Sequence, residues 1–196
     1  HILGKYLHNT VKGRAILKSA YEKKIPVYVP AFTDSELGLN FGLDRRRRIA
    51  AGKPILKFDP FLDLEHYTGL MQKQKKVAIF TVGGGVPRNW AQQGGPYLEL
   101  LKRRENGKKY VEEDAHQCRF SYGVRICPEP VHFGGLSGCT YSEGVSWGKF
   151  LAPNEGGRYA EVMTDATLAL PILVKAVMQR LDKNNIKIEK ALECFN

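Results

Sequence analysis

Apolar and polar positions along the chain alternate between a helical and an extended rhythm. Ile2, Leu3, Leu7 and Val11 recur at helical spacing, so residues 2–22 read as a helix ending near "YEKK". "IPVYVPA", residues 25–31, reads as a short strand between prolines. "FTDSELGLNFGL" follows as a loop in which Asp34 and Ser35 are suited to cap a helix start. "DRRRRIAAGK", residues 44–53, finishes a helix at Gly52, and "PILKF" is a short strand or an extended link. "DLEHYTGLMQKQ" is a helix. "KKVAIFTV", Lys75 to Val82, is the clearest strand, a β-branched apolar run with charge before it and glycine after it. "PRNWAQQGGPYLELLKRR" reads as a turn and a helix broken at Gly94 and Gly95. "RFSYGVRIC" is a strand, and residues 128–140 form a glycine-rich loop. "YSEGVSWGKF" begins helical, with Ser142 as its cap. "YAEVMTDA" is a strand and turn, and "LALPILVKAVMQRL" is a helix that Pro171 kinks or starts. "NIKIEKALECF" closes the chain as a strand or short helix.

Strands separated by helices predict an α/β fold, a Rossmann-like, mostly parallel sheet flanked by helices. One α/β domain over residues 1–196 is expected. Ligands of such sheets gather outside the carboxyl ends of the strands. Three points share that address: Thr33–Asp34 after "IPVYVPA", Gly83–Gly85 after "KKVAIFTV", and Asp165 after "YAEVM".

Composition narrows the class. The 196 residues are 43% hydrophobic, which suits a globular core. No stretch reaches the roughly 20 apolar residues that span a bilayer. No signal peptide is visible, and the first residues already resemble a helix interior without an N-cap. The chain therefore reads as starting inside a longer one, with a preceding partner segment expected. Cysteines at 118, 127, 139 and 194 show no CxxC spacing and, with His116 and His132, no zinc pattern. No metal is expected. Reduced cysteines point to an intracellular, cytoplasmic protein. The formal charge is +10, concentrated in "DRRRR", "KQKK" and "LKRRENGKK". Without a finger, a helix-turn-helix or interleaved aromatics, these runs read as solvated helix ends and loops, not as a nucleic-acid surface.

Three stretches carry candidate chemistry. "VGGGVPRNW" lacks the spacing of a GxGxxG dinucleotide fingerprint. Its three glycines still admit positive φ and close approach by a flat ligand or phosphate, so they are either a tight turn or a cofactor loop. Asp34 and Asp165 are either helix caps or acceptors for a ribose, and spacing leaves both open. "GGLSGCTYSEGVSWGKF" places Lys149 behind Glu143 and Trp147 among small residues. Taken alone, Lys149 is a solvated lysine. A lysine nucleophile instead needs a desolvated or positively biased site that keeps part of it neutral.

Taken together, "GGLSGCTYSEGVSWGKF", "KKVAIFTVGGGVPRNW", "IPVYVPAFTDSELG" and "YAEVMTDATLALPILV" resemble the deoxyhypusine synthase family. That family includes homospermidine synthases, and the loop form looks most like its bacterial and archaeal deoxyhypusine synthase-like group. The resemblance covers about residues 20–180 and is similar to the C-terminal part of a longer family chain. It implies NAD at subunit interfaces, a homotetramer, and transfer of an aminobutyl group from a polyamine through a lysine imine. By position, Lys149 matches the covalent lysine, Glu143 the acidic residue near the substrate amine, and Trp147 the aromatic tunnel wall. Asp34, Gly83, Gly85, Ser137, Asp165 and neighbouring Ala166 match the cofactor pocket.

The same resemblance exposes departures. Family aspartates that hold spermidine are replaced by Leu39 and Leu136, and an active-site histidine by Asn89. A tri-cation thereby loses two carboxylates. The lysine chemistry is expected on a smaller or differently placed amine of the spermidine or putrescine class, with Asn89 and Glu143 beside it. The rivals are a regulatory homologue that assembles with a longer catalytic subunit, and a basic RNA-binding scaffold.

Overall fold

The apolar run that ends in three glycines lies in a three-stranded sheet. In the computed structural model, which describes residues 2–104 and 118–184, β1 (Val77–Val82), β2 (Phe120–Ile126) and β3 (Arg158–Val162) pair in the order β1-β2-β3. Both pairings are parallel, with Val82 opposite Ile126 and Ile126 opposite Val162. The ladder shifts register once, between Val77 and Ala78. Helices flank the sheet in sequence, so the fold is the expected Rossmann-like α/β arrangement. "RFSYGVRIC" has the most buried strand because β2 is central: Phe120 and Ile126 are 3% and 1% exposed.

The described residues divide into two compact units, one formed by residues 1–29 with 173 onward, the other by residues 30–172. In the first, the expected helix over 2–22 is two helices, α1 (Ile2–Thr10) and α2 (Ile16–Glu22). Gly13 lies in the break. The two helices pack closely at Gly4, where a Cβ would stand 2.8 Å from the Leu17 carbonyl oxygen. His8 Nδ1 and Glu22 Oε1 lie 2.9 Å apart across them. "IPVYVPA" forms no strand. Pro26 and Pro30 remove two of the N–H groups a ladder would use, and Ile25, Val27 and Val29 stay 44–52% exposed. Asp34 is therefore not at a strand end.

In the second unit, Asp34 closes a 3-10 turn, Phe32–Asp34. Ser35 then caps α3 (Glu36–Ala50), its Oγ accepting from the Gly38 N–H at 3.1 Å. Gly52, at φ 62°, lies just past the end of α3, as expected. "PILKF" is a link. α4 (Phe61–Gln72) precedes β1. α5 (Val86–Gln92) and α6 (Gly94–Arg104) follow it. The break falls at Gln93, one residue before the expected place, and Gly94 and Gly95 open α6; they are glycines for a packing reason, since a Cβ on Gly94 would meet Met71 Sδ at 2.5 Å. α7 (Tyr141–Ser146) leads toward β3. α8 (Ala166–Lys183) begins in this unit, with Pro171 inside it.

The core joins Met71, Leu98, Cys118, Phe120, Tyr141 and Phe150. Phe150 is wholly buried, 5.5 Å from Phe120 and 5.0 Å from Tyr141 between ring centres. "NIKIEKALECF", Cys194, His116 and part of "LKRRENGKK" lie outside the described residues. Among the described residues no helix is long and apolar enough to cross a membrane.

Candidate active site

The site begins with a helix end. Thr140 Oγ1 accepts from the Glu143 N–H at 3.1 Å and caps α7. Ser142, the expected cap, falls within the first turn. The helix stops after six residues in a Schellman turn. The Lys149 N–H reaches back to the Gly144 carbonyl at 2.9 Å, and the Gly148 N–H to that of Val145 at 3.0 Å. Gly148 adopts φ 70°, the left-handed conformation this turn needs. That is why glycine stands before the lysine in "SWGK". The turn brings Lys149 to the same cavity as Glu143, six residues earlier.

The main chain of Lys149 is fixed on its other side too. Its carbonyl accepts from the Phe120 N–H at 3.0 Å, and Phe150 bridges Phe120 in parallel. Gly144 makes room for this packing. A Cβ there would lie 2.7 Å from the Phe150 ring.

The Lys149 side chain is 7% exposed. Its Nζ donates to Asn89 Oδ1 at 2.8 Å. Burial lowers its pKa from the ordinary lysine value. Cys139 opposes that effect, Arg88 reinforces it as a like charge, and Glu143 opposes it. Lys149 lines a cavity of about 220 Å³ with Arg88, Asn89, Gln92, Leu136, Glu143 and Trp147, and with Gln93 and Cys139. At roughly 30 Å³ per water, that volume suits a small chain molecule. Trp147, 66% exposed, also borders a second cavity of about 690 Å³.

A loop held by two buried arginines forms the cavity's far wall. Arg88 donates to the carbonyls of Leu136 at 3.2 Å and Cys139 at 2.9 Å. Arg125, on β2, donates to Ser137 and Cys139 carbonyls and pairs with Glu161 on β3 at 3.0 Å. Burial pushes the Cys139 thiol pKa up, and Glu143 adds to it.

Lys149, Glu143, Trp147 and Asn89 are thus brought together. Ser137 lies on the adjoining loop and packs against the glycine turn: a Cβ on Gly84 would stand 2.6 Å from Ser137 Cα. Gly83 and Gly85, at φ 81° and 76°, terminate β1. The Gly83 N–H donates to the Ile126 carbonyl at 2.8 Å. Asp165 follows β3, where Oδ1 accepts from Thr167 N–H and hydroxyl at 2.8 and 2.6 Å. These two bonds, side chain first, lower its pKa. Asp165 thus caps α8, ahead of Ala166. Asp34, Asp165 and Ala166 do not line the lysine cavity.

Arg88, Gln92, Gln93 and Cys139 escaped the sequence reading. One signal was available: Asn89, Gln92 and Gln93 stand at i, i+3 and i+4, one face of α5.

Comparison with known proteins agrees with the motifs. The family profile described as deoxyhypusine synthase matches residues 1–177. The chain is 34% identical over 183 residues to a probable deoxyhypusine synthase 2 of Methanosarcina acetivorans, covering 92% of this chain and 47% of that one. It is 35% identical over 169 residues to a probable deoxyhypusine synthase 2 of Archaeoglobus fulgidus, covering 86% and 49%. A deoxyhypusine synthase-like protein of Caulobacter vibrioides is 32% identical over 173 residues, covering 87% and 43%. The chain spans about half the length of these curated relatives, and it belongs to the deoxyhypusine synthase family.

Proposed function

We propose that the protein is an NAD-dependent transferase that moves an aminobutyl-type group between amines through an imine on Lys149. The observation that carries this reading is a buried lysine, hydrogen-bonded through its Nζ to neutral Asn89 in a small cavity shared with Glu143. Burial weakens the hold of that amine on its proton, which a nucleophile needs.

The place of the turn after β1 supports a dinucleotide site. It lies at the carboxyl end of a parallel strand, and a Cβ built on Gly83 meets nothing within 4 Å. Gly83, Gly85 and Ser137 would hold NAD, with Asp34, Asp165 and Ala166 as its further proposed contacts. Bound there, NAD would accept the hydride that converts an amine to an imine and return it to the product. Lys149 attacks the imine carbon, the original amine leaves with a proton, and the carbon chain stays on Nζ. Glu143 holds the cationic end of the donor, and Trp147 packs its methylenes. The acceptor amine then displaces Lys149 by the reverse exchange.

Leu136 in the cavity wall gives no charge to a polyamine. The lining holds one carboxylate, Glu143, with the cationic Arg88. That balance favours a donor of the putrescine class over spermidine. Assembly as a homo-oligomer, a tetramer by family resemblance, with the rest of a family-length chain or a longer homologous subunit, would complete the cofactor pocket. Exposed Leu168 and Ile172 on α8 support such an assembly. The same Leu136 favours a second reading, a regulatory homologue bound to a catalytic subunit.

The test is borohydride trapping on the full-length protein with NAD and candidate amines, read by peptide mass spectrometry. An amine- and NAD-dependent adduct on Lys149 is expected. Its absence for putrescine, spermidine and their analogues, with a catalytic homologue co-purifying, selects the second reading.

A further inference from the structure

Arg88 has no role in the exchange just described, yet it is among the most buried charges of the site, at 5% exposure. It extends from α5, one residue before Asn89, and lines the lysine cavity. Its guanidinium spans 48 and 51 residues of sequence to hold the carbonyls of Leu136 and Cys139. It also lies 5.9 Å above the Tyr141 ring, whose helix carries Glu143. Arg125 also holds the Cys139 carbonyl, at 2.9 Å, so one carbonyl is shared by two guanidiniums. An arginine cannot lose its charge in a protein. Burying a guanidinium is costly unless it is paired; Arg125 has Glu161, whereas Arg88 is held by the two carbonyls and the Tyr141 ring.

We propose that Arg88 is a positioning residue for the lysine chemistry: it pins the 136–139 loop against the cavity and sets a fixed positive charge in the same cavity wall as Lys149. The charged and titratable groups that line the cavity with Lys149 are Arg88 on α5, Glu143 on α7 and Cys139 on the loop between. Glu143 favours the charged lysine, and so does Cys139. Arg88 is the cation that opposes them, and it acts with burial in the same direction. The proposal rests on the lysine's nucleophilic role, but its test needs neither amine nor NAD.

The experiment is competitive trace acetylation of the full-length protein across a pH series. The Lys149 peptide is quantified by mass spectrometry against the exposed Lys53 peptide. Arg88→Gln removes the charge and is expected to shift the Lys149 labelling midpoint to higher pH. Arg88→Lys keeps the charge but loses the two-carbonyl fork. Its midpoint is expected to stay with wild type, while amide exchange at residues 136–139 becomes faster. An unchanged midpoint in Arg88→Gln overturns the proposal. So does unchanged amide exchange at residues 136–139 in Arg88→Lys, which is the deciding readout if Arg88→Gln does not fold. Failure here leaves the trapping experiment intact, and a failed trapping experiment leaves this titration readable.

Discussion

The same one-carbon substitution should stabilise this protein at one glycine and destabilise it at another. A Cβ on Gly69, inside α4, meets nothing within 4 Å. Gly69→Ala then gains only the helix preference of alanine, about 0.5–1 kcal/mol. A Cβ on Gly84 would lie 2.6 Å from Ser137 Cα and 2.8 Å from Ser137 Cβ. Carbon atoms rest about 3.5–4.0 Å apart, so the Ser137 loop must retreat by about 1 Å. The loop cannot yield freely, because Arg88 and Arg125 hold its carbonyls. Overpacking of this kind costs ~1–3 kcal/mol. For a chain of 196 residues each kcal/mol moves Tm by roughly 2–4 °C. Thermal unfolding of the two variants should therefore bracket wild type, Gly69→Ala above and Gly84→Ala below. Calorimetric NAD titration should show weaker binding only for Gly84→Ala, since its clash lies between the glycine turn and the Ser137 loop. Gly84→Ala melting at or above the wild-type temperature would refute the packing of these two loops.

Three further outcomes follow from the lysine cavity and the helix that leads to it. Asn89→Asp puts a carboxylate where Nζ now meets a neutral oxygen at 2.8 Å; it should raise the Lys149 labelling midpoint and slow adduct formation at neutral pH. In wild type the lowered pKa means that the unfolded chain holds more protons. The lysine's own contribution to stability should then rise with pH between its folded value and 10.5, while the raised Cys139 thiol and Tyr141 hydroxyl act in the opposite sense; the difference in urea unfolding between wild type and Lys149→Met through the alkaline range checks the sign. Thr140→Ala removes the cap of α7. It should cost about 1 kcal/mol in denaturant unfolding and lower the yield of trapped Lys149.

How much of this was readable from the chain differs by element. β1 and β2 were legible because an apolar run bounded by charge and glycine has few alternatives at that length. Ser35 and Gly52 marked the two ends of α3 through local chemistry that acts within a few residues, but "ELGLNFGL", read as a loop, is the first half of that helix. "IPVYVPA" misled because strand composition describes a surface that would fit a sheet, while the ladder needs a partner strand. The lysine turn was partly legible: glycine at the C′ position is a local rule. The fork of Arg88 was not, since its carbonyl partners lie 48 and 51 residues away. Nothing in "PRNW" separates a buried arginine from the solvated ones in "DRRRR".

The lysine's backbone is fastened on one side to α7 and on the other to Phe120. Only its four-carbon stem can move. A nucleophile mounted this way works within reach of one fixed Cα. Amines of different length must all bring their reactive carbon within that reach. Discrimination by chain length would then be exercised at the remote end of the chamber, and broadening the range of amines accepted would call for redesign there, leaving the lysine's mounting untouched.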